Sequence, residues 1–331
     1  MYRICLLPGD GIGPEVIGCA EQVLSILPLK FEFSHTEIGF EAYKQFGTPL
    51  PDTTLEKIRE ASAVLFGAVT TPPNLQGYFS PVVRMRQVLD LYANLRPIHS
   101  IPHLSSRQGI DLLIVRENTE GLYSGIERLE DDGNRAITER VITRKGSERI
   151  IRKAFDLARQ TNRKTIHLVH KANVLRQTCG LFRSVGLEIA NEYSDIEMRE
   201  MLVDTCAMEL VHAPEQFEVI VTTNLFGDIL SDEASMLVGG LGVAASGNIG
   251  ADSAVFEPVH GSAPTLAGTG KANPIATILA AAMMLDFIGE KEQALRIQNA
   301  VENSIKDGQV TADMGGVLTT DQATKNIIQR L

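Results

Sequence analysis

Residues 2–17, YRICLLPGDGIGPEVI, indicate the fold class of the chain. The apolar run 2–7 has the length of a buried strand, and the glycine turn GDGIG follows it at residues 9–13. Pro14 suits the first position of a helix, and apolar residues then recur at helical spacing as far as Leu27. This order of strand, turn and helix predicts an α/β fold.

Further apolar runs of strand length alternate with helical patterns along the chain. We predict buried strands over residues 63–66, 111–115, 165–170 and 219–223, each followed by polar residues. This alternation is typical of a largely parallel sheet, which binds ligands beyond the carboxyl ends of its strands. No linker or low-complexity tract divides the sequence, so a two-domain protein would have to be built from interleaved segments.

The composition is that of a folded globular protein. The chain has 331 residues, of which 44% are hydrophobic and 22% charged, and this length suggests two domains or one domain with an insertion. Acidic residues outnumber basic residues by 41 to 31. The resulting net charge of −10 argues against a nucleic-acid groove or an anionic membrane surface as the main partner.

The cysteines and the apolar segments indicate a soluble cytoplasmic protein. The cysteines lack C-x-x-C spacing and are predicted to be reduced core residues: Cys5, Cys19, Cys179 and Cys206. The first apolar run is too short for a signal peptide. The most apolar long stretch, residues 275–288, is shorter than the roughly 20 residues that span a bilayer.

The GDGIG turn has two interpretations. Its backbone N–H groups, at the start of a helix, could hold a phosphate. The turn lacks the complete G-x-G-x-x-G pattern, and it fits a tight connection between strand and helix equally well. The sequence leaves both interpretations open.

Three arginines are candidates for binding carboxylates. Arg86 and Arg96 flank the segment QVLDLYANL, and Arg116 comes directly after the apolar strand DLLIV. Guanidinium groups bind carboxylates in a bidentate manner, so converging arginines favour a substrate with more than one carboxylate. Each arginine alone also fits a surface charge or a structural ion pair. The polar run 117–119 after Arg116 predicts an exposed functional loop.

Asp228 and Asp232 are four residues apart and are predicted to share one face of a helix. Like charges at that spacing cost about 0.2–0.5 kcal/mol. One interpretation is a solvated acidic face near a helix amino terminus. The favoured interpretation is a Mg²⁺ or Mn²⁺ site, with Asp204 as a candidate third carboxylate.

Three further residues are candidates for proton transfer or cofactor binding. Lys171 closes the strand TIHLVH, where desolvation would disfavour its ammonium form and make it a proton acceptor near neutral pH. Tyr123 is a candidate proton donor, and His260 is a candidate cofactor contact. Each also fits a structural role as a solvent-reaching lysine, a packed ring or a loop histidine.

The ordered set of motifs resembles the β-decarboxylating dehydrogenases of 3-substituted malates, a family that includes isocitrate, isopropylmalate, homoisocitrate and tartrate dehydrogenases. The motifs, from residue 9 to residue 274, are GDGIG, LDLYANLRP, VRENTEGLY, HKANV, VTTNLFGDILSD, EPVHGSAP and KANP. The resemblance covers nearly the whole chain. It is far more specific than any single motif.

The resemblance implies an α/β fold of two domains that is not a standard Rossmann fold. It implies a large cofactor-binding domain of residues 1–97 and 239–331 and a small domain of residues 98–238 that carries a dimer interface. The active site would lie between the domains and be completed by a second subunit. We therefore expect a homodimer or a higher homo-oligomer.

The resemblance also assigns roles to the candidate residues. The matches to the carboxylate-binding arginines are Arg86, Arg96 and Arg116. The matches to the ligands of Mg²⁺ or Mn²⁺ are Asp228 and Asp232 of one subunit and Asp204 of the other. Lys171, also contributed across the interface, matches the base for the substrate hydroxyl, and Tyr123 matches the acid that protonates the enol. The implied reaction oxidises the hydroxyl at C2 and then releases carbon dioxide.

The implied cofactor is NAD. The matches to cofactor contacts are Thr70, Asn173, Glu257, His260, Gly261, Ser262, Ala263, Pro264 and Asn273. NADP-using relatives carry cationic or tyrosine side chains at positions that here are Thr265, Leu266, Ala312 and Gly316. These positions therefore offer no cationic side chain that could bind the 2′-phosphate of NADP. Thr265 also replaces the acidic residue that is common in NAD-using relatives.

The segment GYFSPVVRM, residues 77–85, implies the substrate class. In the family this segment faces the substituent at C3, and Ser80 matches the serine that binds a distal carboxylate in isocitrate and homoisocitrate enzymes. We therefore expect homoisocitrate or isocitrate, with homoisocitrate favoured. The alternatives are 3-isopropylmalate, which Val82 and Val83 would tolerate, and a non-catalytic regulatory subunit.

Overall fold

A computed structural model describes residues 1–72, 75 and 77–331 of the chain. The strands are β1 Tyr2–Gly9, β2 Phe31–His35, β3 Ala63–Ala68, β4 Ala93–His99, β5 Asp111–Glu117, β6 Glu127–Glu130, β7 Arg135–Thr138, β8 Thr165–His170, β9 Glu197–Leu202, β10 Val219–Thr222, β11 Ala245–Ile249 and β12 Ala254–Pro258. The α-helices are α1 Gly13–Ser25, α2 Phe40–Phe46, α3 Asp52–Glu60, α4 Pro81–Val88, α5 Arg144–Gln160, α6 Thr178–Ala190, α7 Val203–His212, α8 Asn224–Leu237, α9 Ile275–Phe287, α10 Lys291–Lys306 and α11 Thr320–Ile328.

The chain forms two compact units that interleave in sequence. Unit 1 consists of residues 1–89, 100–108 and 238–331. Unit 2 consists of residues 90–99 and 109–237.

These units differ from the expected domains mainly over residues 90–108. Residues 93–99 form β4, which pairs antiparallel with β5 and therefore lies in unit 2. The segment 100–108 returns to unit 1, where His103 Nε2 lies 3.0 Å from the carbonyl oxygen of Met314. The expected roles in cofactor binding and dimerisation stay predictions.

Unit 1 contains a sheet with the strand order β2-β1-β3-β12-β11, parallel except for the β12–β11 pair. All six residues of β3 are buried, as expected for a strand covered on both faces. Helices α1 and α9 pack against this sheet and against each other. Because α9 is apolar on nearly all sides, it lies in the core of the unit instead of on its surface.

Unit 2 contains a sheet with the strand order β4-β5-β10-β8-β9, parallel except for the β4–β5 pair. Thr222 of β10 is the register partner of Arg116 on β5, so the carboxyl ends of these two strands lie side by side. Helix α8 begins two residues after β10 and packs against β4 and β5. Strands β6 and β7 form a separate antiparallel hairpin.

The predicted strands are all present, and the prediction of an α/β fold with mainly parallel strands is confirmed. The sequence patterns missed β4, β9, β11 and β12, among others. Strand β9, EMREML, is charged and largely solvent-facing, so it carries no continuous apolar run. Strand β5 extends two residues beyond its apolar run, through Glu117.

The cysteines match the expectation of free core residues, because all four are buried and unpaired in disulfides. Burial raises the pKa of the Cys206 thiol to about 12. Over the described part of the chain, no helix has the length and hydropathy needed to cross a bilayer.

Candidate active site

Two arginines and two aspartates of unit 2 form one cluster, which we name the Arg–Asp cluster: Arg96, Arg116, Asp228 and Asp232. Strand β4 carries Arg96, strand β5 carries Arg116, and helix α8 carries both aspartates. The sheet pairing and the α8 packing bring these elements together. The aspartates do share one helix face, as their spacing predicted, because both accept hydrogen bonds from Arg96.

The guanidinium group of Arg96 joins both aspartates. Its Nη1 donates to Asp232 Oδ1 at 3.0 Å and to Ser231 Oγ at 2.6 Å, and its Nη2 donates to Asp228 Oδ1 at 3.3 Å. Its Nε donates to Asn94 Oδ1 at 2.8 Å, from two residues away on the same face of β4. These bonds fix the orientation of the guanidinium plane.

Arg116 is buried, with 1% of its surface exposed, and the buried Glu117 and Asn118 that follow it correct the prediction of an exposed loop. The strand continues through Glu117 instead of ending before Arg116. Nη1 of Arg116 donates to Asp228 Oδ1, while Nε and Nη2 both donate to Asn224 Oδ1, at 3.1 and 2.7 Å. Gly227 leaves room for the arginine, because an added Cβ there would press into its aliphatic chain.

The charges of the cluster compensate each other. Two carboxylates face two guanidinium groups, which offsets both the like-charge repulsion along α8 and the cost of burying the arginines. The two aspartates are therefore more than a solvated acidic face, because both are paired with buried guanidinium groups. Asp232 is nevertheless half-exposed, with 55% of its side chain accessible, and can reach a ligand.

Asp228 and Asp232 fit a divalent cation by chemistry, because carboxylate oxygens are the ligands that Mg²⁺ and Mn²⁺ prefer. Within the described residues of one chain, no group of three or more His, Cys, Asp or Glu is placed to hold a metal ion. Asp204 is therefore not gathered with the other two aspartates in a single chain. The three-aspartate site stays a prediction.

Tyr123 lies beside the cluster, in a short 3-10 turn after β5. Its hydroxyl donates to Asp228 Oδ2 at 2.6 Å, and Arg116 lies 5.4 Å from the ring centroid. Burial raises the pKa of Tyr123, and the hydrogen bond to the Asp228 carboxylate raises it further. The phenol is therefore held in its protonated form, as a proton donor requires.

Lys171 and Asp204 form an ion pair elsewhere in unit 2. Lys171 follows β8, Asp204 lies in the first turn of α7, and Lys171 Nζ lies 2.5 Å from Asp204 Oδ1. The carboxylate of Asp204 compensates the charge of Lys171, which offsets the desolvation expected at this strand end, and the predicted role of Lys171 as a base stays a prediction. The hydrogen bond from Lys171 holds the pKa of Asp204 below its usual range.

Arg86 of unit 1 is buried and paired with Glu257. Arg86 Nη2 donates to Glu257 Oε1 at 2.8 Å, and Asn248 Nδ2 donates to the same oxygen at 2.8 Å. The Nε atom of Arg86 is buried and has no hydrogen-bond partner in the part of the chain that the structure describes. A buried unsatisfied donor is costly, so this atom fits a site completed by an acceptor such as a substrate carboxylate.

Ser80 lies at the amino terminus of α4, six residues before Arg86. Its Oγ accepts a hydrogen bond from the backbone N–H of Val83 at 3.4 Å, so the serine caps the helix. A hydroxyl can also donate while it accepts, and its donor capacity remains for a ligand. The predicted role in substrate selection therefore coexists with a structural one.

The segment 257–264 of unit 1 has features that fit a ligand-binding loop. His260 Nε2 is buried and has no partner among the described residues, which fits a bound group with a complementary atom. Burial also lowers the pKa of His260. Ala263 adopts a positive φ of 38°, a conformation that costs energy for a residue with a side chain. These observations fit the predicted NAD contacts without testing them.

The remaining predicted cofactor contacts differ in their surroundings. Thr70 Oγ1 lies 2.7 Å from Ser262 Oγ, so two of the predicted contacts touch each other. Asn273 is buried, and its side chain bonds to Asp313 at 2.9 Å and to the N–H of Ile275 at 3.0 Å. Gly261 and Pro264 are exposed. Asn173 is exposed and belongs to unit 2, whereas the loop belongs to unit 1.

The GDGIG turn is an internal connection. The N–H groups of Asp10, Ile12 and Gly13 donate to carbonyl oxygens of Ala68, Ser262 and Asp10, respectively. An added Cβ at Gly11 would collide with the carbonyl of Ser262, so glycine is required for this close approach. Because these amides already have protein partners, the structure favours the tight-connection interpretation over a phosphate cradle.

The family model for isocitrate and isopropylmalate dehydrogenases matches residues 3–331 of the chain. The chain belongs to this family. It is 53% identical over 331 residues to the isocitrate/homoisocitrate dehydrogenase of Thermus thermophilus, covering 100% of this chain and 98% of the relative. It is 47% identical over 332 residues to the 3-isopropylmalate dehydrogenase of Archaeoglobus fulgidus, covering 100% of both.

Among solved structures, the chain is similar to the isocitrate dehydrogenase from Methylococcus capsulatus. The TM-score is 0.97 at 49% sequence identity, covering 100% of this chain and 99% of that one. The predicted family and its fold type are therefore confirmed. The isocitrate/isopropylmalate dehydrogenase family performs oxidative decarboxylation, and this member is a decarboxylating hydroxy-acid dehydrogenase.

Sequence reasoning missed the polar residues that orient the two arginines of the cluster: Asn94, Asn224 and Ser231. Their spacing carried a usable signal. Asn224 precedes Asp228 by four residues and Ser231 follows it by three, which places all three on one helix face. Asn94 precedes Arg96 by two residues and shares its face of the strand. No spacing indicated Asn248, which lies nine residues before its partner Glu257.

Proposed function

We propose that the chain catalyses the NAD-linked, divalent-cation-dependent oxidative decarboxylation of homoisocitrate, with isocitrate as the second substrate. The Arg–Asp cluster with Tyr123 carries this proposal. It combines buried guanidinium groups, carboxylates able to bind a hard cation and a phenol held protonated. Substrate carboxylates, a cation and a proton donor are the requirements of this reaction.

The substrate carboxylates would be bound by arginines. Asp228 and Asp232 would hold the cation, and Arg96 and Arg116, which now bond to these aspartates, would then be available to bind substrate carboxylates. Arg86, whose Nε has no partner among the described residues, is the third predicted carboxylate-binding arginine.

Two residues of the chain move protons. Lys171 accepts the proton of the C2 hydroxyl once its ion pair with Asp204 opens, and Asp204 would be one of the residues that hold the cation. Tyr123 delivers a proton to C3 after carbon dioxide has left, and its hydroxyl is already held in place by Asp228. When bound, NAD accepts the hydride from C2, and the cation stabilises negative charge on the substrate oxygens.

The choice of substrate rests on Ser80 and on the relatives. The Ser80 hydroxyl retains a donor for the distal carboxylate, and the 53% identical relative carries the name isocitrate/homoisocitrate dehydrogenase. The second candidate is 3-isopropylmalate. It is favoured by the apolar Val82 and Val83 beside Ser80 and by the name of the 47% identical relative.

We further propose a homodimer as the working unit. Helices α7 and α8 carry apolar side chains that are each more than half exposed: Met208, Val211, Ile229 and Met236. Exposed apolar side chains grouped on packed helices favour burial against another protein surface. A second copy would also supply Asp204 and Lys171. The predicted cytoplasmic location stays a prediction.

An assay of the purified protein tests the proposal. NADH formation is followed with homoisocitrate, isocitrate or 3-isopropylmalate, with Mn²⁺ present or chelated, and the 2-oxo acid product is identified by mass spectrometry. We expect the highest kcat/KM with homoisocitrate and a clear preference for NAD over NADP. Full activity in excess chelator, or a higher kcat/KM with 3-isopropylmalate, would contradict it.

A further inference from the structure

Thr70, which follows β3 in unit 1, is held at all three of its polar groups. Its N–H donates to Asp10 Oδ2 at 2.7 Å, its carbonyl oxygen accepts from the Tyr78 hydroxyl at 3.0 Å, and its Oγ1 lies 2.7 Å from Ser262 Oγ. We name Asp10, Tyr78 and Ser262 the Thr70 clamp. These three bonds fix both the backbone and the side chain of Thr70.

Asp10 is the most buried member of the clamp, with 4% of its surface exposed. Besides Thr70, it accepts from the N–H of Phe40 at 2.8 Å and from the N–H of Glu41 at 3.0 Å. Three backbone donors thus compensate a buried carboxylate, which otherwise would be costly to desolvate. Gly39 adopts a φ of 97°, and an added Cβ there would press into the Asp10 carboxylate.

Tyr78 binds the carbonyl oxygen of Thr70 and packs against helix α2. Its ring packs edge-on against Tyr43 and Phe40, with centroids 5.3 and 6.2 Å away. Both rings belong to α2, the helix whose first N–H groups bond to Asp10. Burial raises the pKa of Tyr78 to about 12, so its hydroxyl stays a donor. Thr70 is therefore held by one connected set of contacts, formed by Asp10, α2 and Tyr78.

Ser262 connects this set of contacts to the segment 257–264. Its Oγ contacts Thr70, and its carbonyl oxygen accepts from the N–H of Ile12 at 2.9 Å. The next residue, Ala263, has the strained positive φ of 38°. Strained backbone persists only where the surroundings determine it, and here the surroundings are the GDGIG turn and the Thr70 clamp.

We propose that Asp10 and Tyr78 are positioning residues for the dinucleotide cofactor. They act through Thr70 and Ser262, which they fix in the conformation that binds it. The proposal rests on the proposed function, because it takes NAD as the ligand of the segment 257–264. A loop that is already ordered loses less conformational entropy when it binds, so the clamp raises affinity for the cofactor without touching the substrate.

NADH binding to the whole protein tests this role without turnover, because the fluorescence of NADH itself reports its dissociation constant. Tyr78→Phe removes only the bond to Thr70 and keeps the ring, and we expect the dissociation constant of NADH to rise severalfold. Asp10→Asn places an amide donor where backbone N–H donors converge. We expect the dissociation constant of NADH to rise roughly tenfold or more in this variant. Tyr2→Phe is the matched control, since Tyr2 bonds to Glu290 at 2.5 Å in the same unit.

Further readouts separate positioning from general stability. We expect the KM of the hydroxy acid and the affinity for Mn²⁺ to change less than twofold in both variants. If the two residues act through Thr70, the effect of Tyr78→Phe should shrink in a Ser262→Ala background. Tyr78→Phe and Ser262→Ala keep the proposal testable should Asp10→Asn fail to fold.

Two results would overturn the proposal. One is unchanged NADH affinity in Tyr78→Phe and Asp10→Asn, with only a lower Tm. The other is a parallel loss of NADH, hydroxy-acid and Mn²⁺ binding. A wild-type protein that binds no NADH would instead overturn the proposed function, and the role of the clamp with it.

Discussion

The Tyr123 hydroxyl donates a hydrogen bond to Oδ2 of Asp228 at 2.6 Å. Oδ1 of the same carboxylate accepts from Arg96 and Arg116, so both oxygens of the predicted metal ligand have partners in the chain. A cation that binds Asp228 must therefore compete with a phenol and two guanidinium groups. Cation binding at Asp228 and the hydrogen bonds of Arg96, Arg116 and Tyr123 to that carboxylate are thus physically linked.

The linkage predicts that Mn²⁺ strengthens substrate binding. Asp232→Asn should weaken Mn²⁺ binding and lower the affinity for the hydroxy acid in the presence of Mn²⁺, while the fold stays intact because Asp232 is half-exposed. Asp228→Asn should also lower the free energy of unfolding by about 3 kcal/mol, because it removes a carboxylate from the buried Arg116. Mn²⁺ titrations by electron paramagnetic resonance and urea unfolding measure the two effects.

Asp286→Asn, on the exposed end of α9, serves as control. Unchanged Mn²⁺ affinity in both cluster variants would remove these aspartates from the metal site.

Lys171 and Tyr123 should control different steps. Lys171→Met should slow NADH formation in a single turnover by roughly 10²–10⁴, the usual effect of losing a general base. Tyr123→Phe should leave that step largely intact and slow deuterium exchange at C3 of the 2-oxo acid product, followed by NMR. Tyr193→Phe is the control, because Tyr193 also bonds to an aspartate, Asp156, at 3.0 Å. Normal hydride transfer in Lys171→Met would require a different base.

Ser80 should have two separable effects. Ser80→Leu removes the cap of α4, which lowers the free energy of unfolding by about 1 kcal/mol, and it shifts the ratio of kcat/KM values toward 3-isopropylmalate by roughly 10- to 100-fold. Ser80→Thr retains a capping hydroxyl and should retain the preference. Thr319→Ala, which removes the cap of α11, should reproduce the stability loss alone. An unchanged substrate ratio in Ser80→Leu would exclude Ser80 as the selector.

His167 should make the stability of the protein depend on pH. It is buried on β8 against Phe217, and its Nδ1 has no partner within residues 1–72, 75 and 77–331. Burial lowers its pKa to about 4 from a usual 6.5. Between these two values the unfolded chain binds more protons at this site, so stability is full above pH 6.5 and falls as pH drops toward 4. His167 should lower the free energy of unfolding by about 2 kcal/mol between pH 7 and pH 5. Urea unfolding of His167→Gln should show a flatter pH dependence, unlike the exposed-site control His35→Gln. Equal slopes in wild type and His167→Gln would contradict the prediction.

The sequence predicted the α/β class because its core strands are continuous apolar runs, which need no knowledge of their neighbours. Strands β1, β3, β5, β8 and β10 were all found in this way. It also predicted the family, because the ordered motifs resemble that one family, whereas the roles assigned to individual residues stay predictions. Strands β9 and β12 escaped because β9 is charged and β12 gains its pairing only from the tertiary fold.

The partners of those residues were decided by the tertiary structure. Arg116 and Asp228 are 112 positions apart, and Arg86 and Glu257 are 171 apart, so only the packing of strands and helices brings them together. The same packing buried Arg116. It also paired the N–H groups of the GDGIG turn with carbonyl oxygens of the protein. The physical reason is that spacing along the chain places residues on one face of one element. Hydrogen bonds between elements depend on where the sheet and its helices place them.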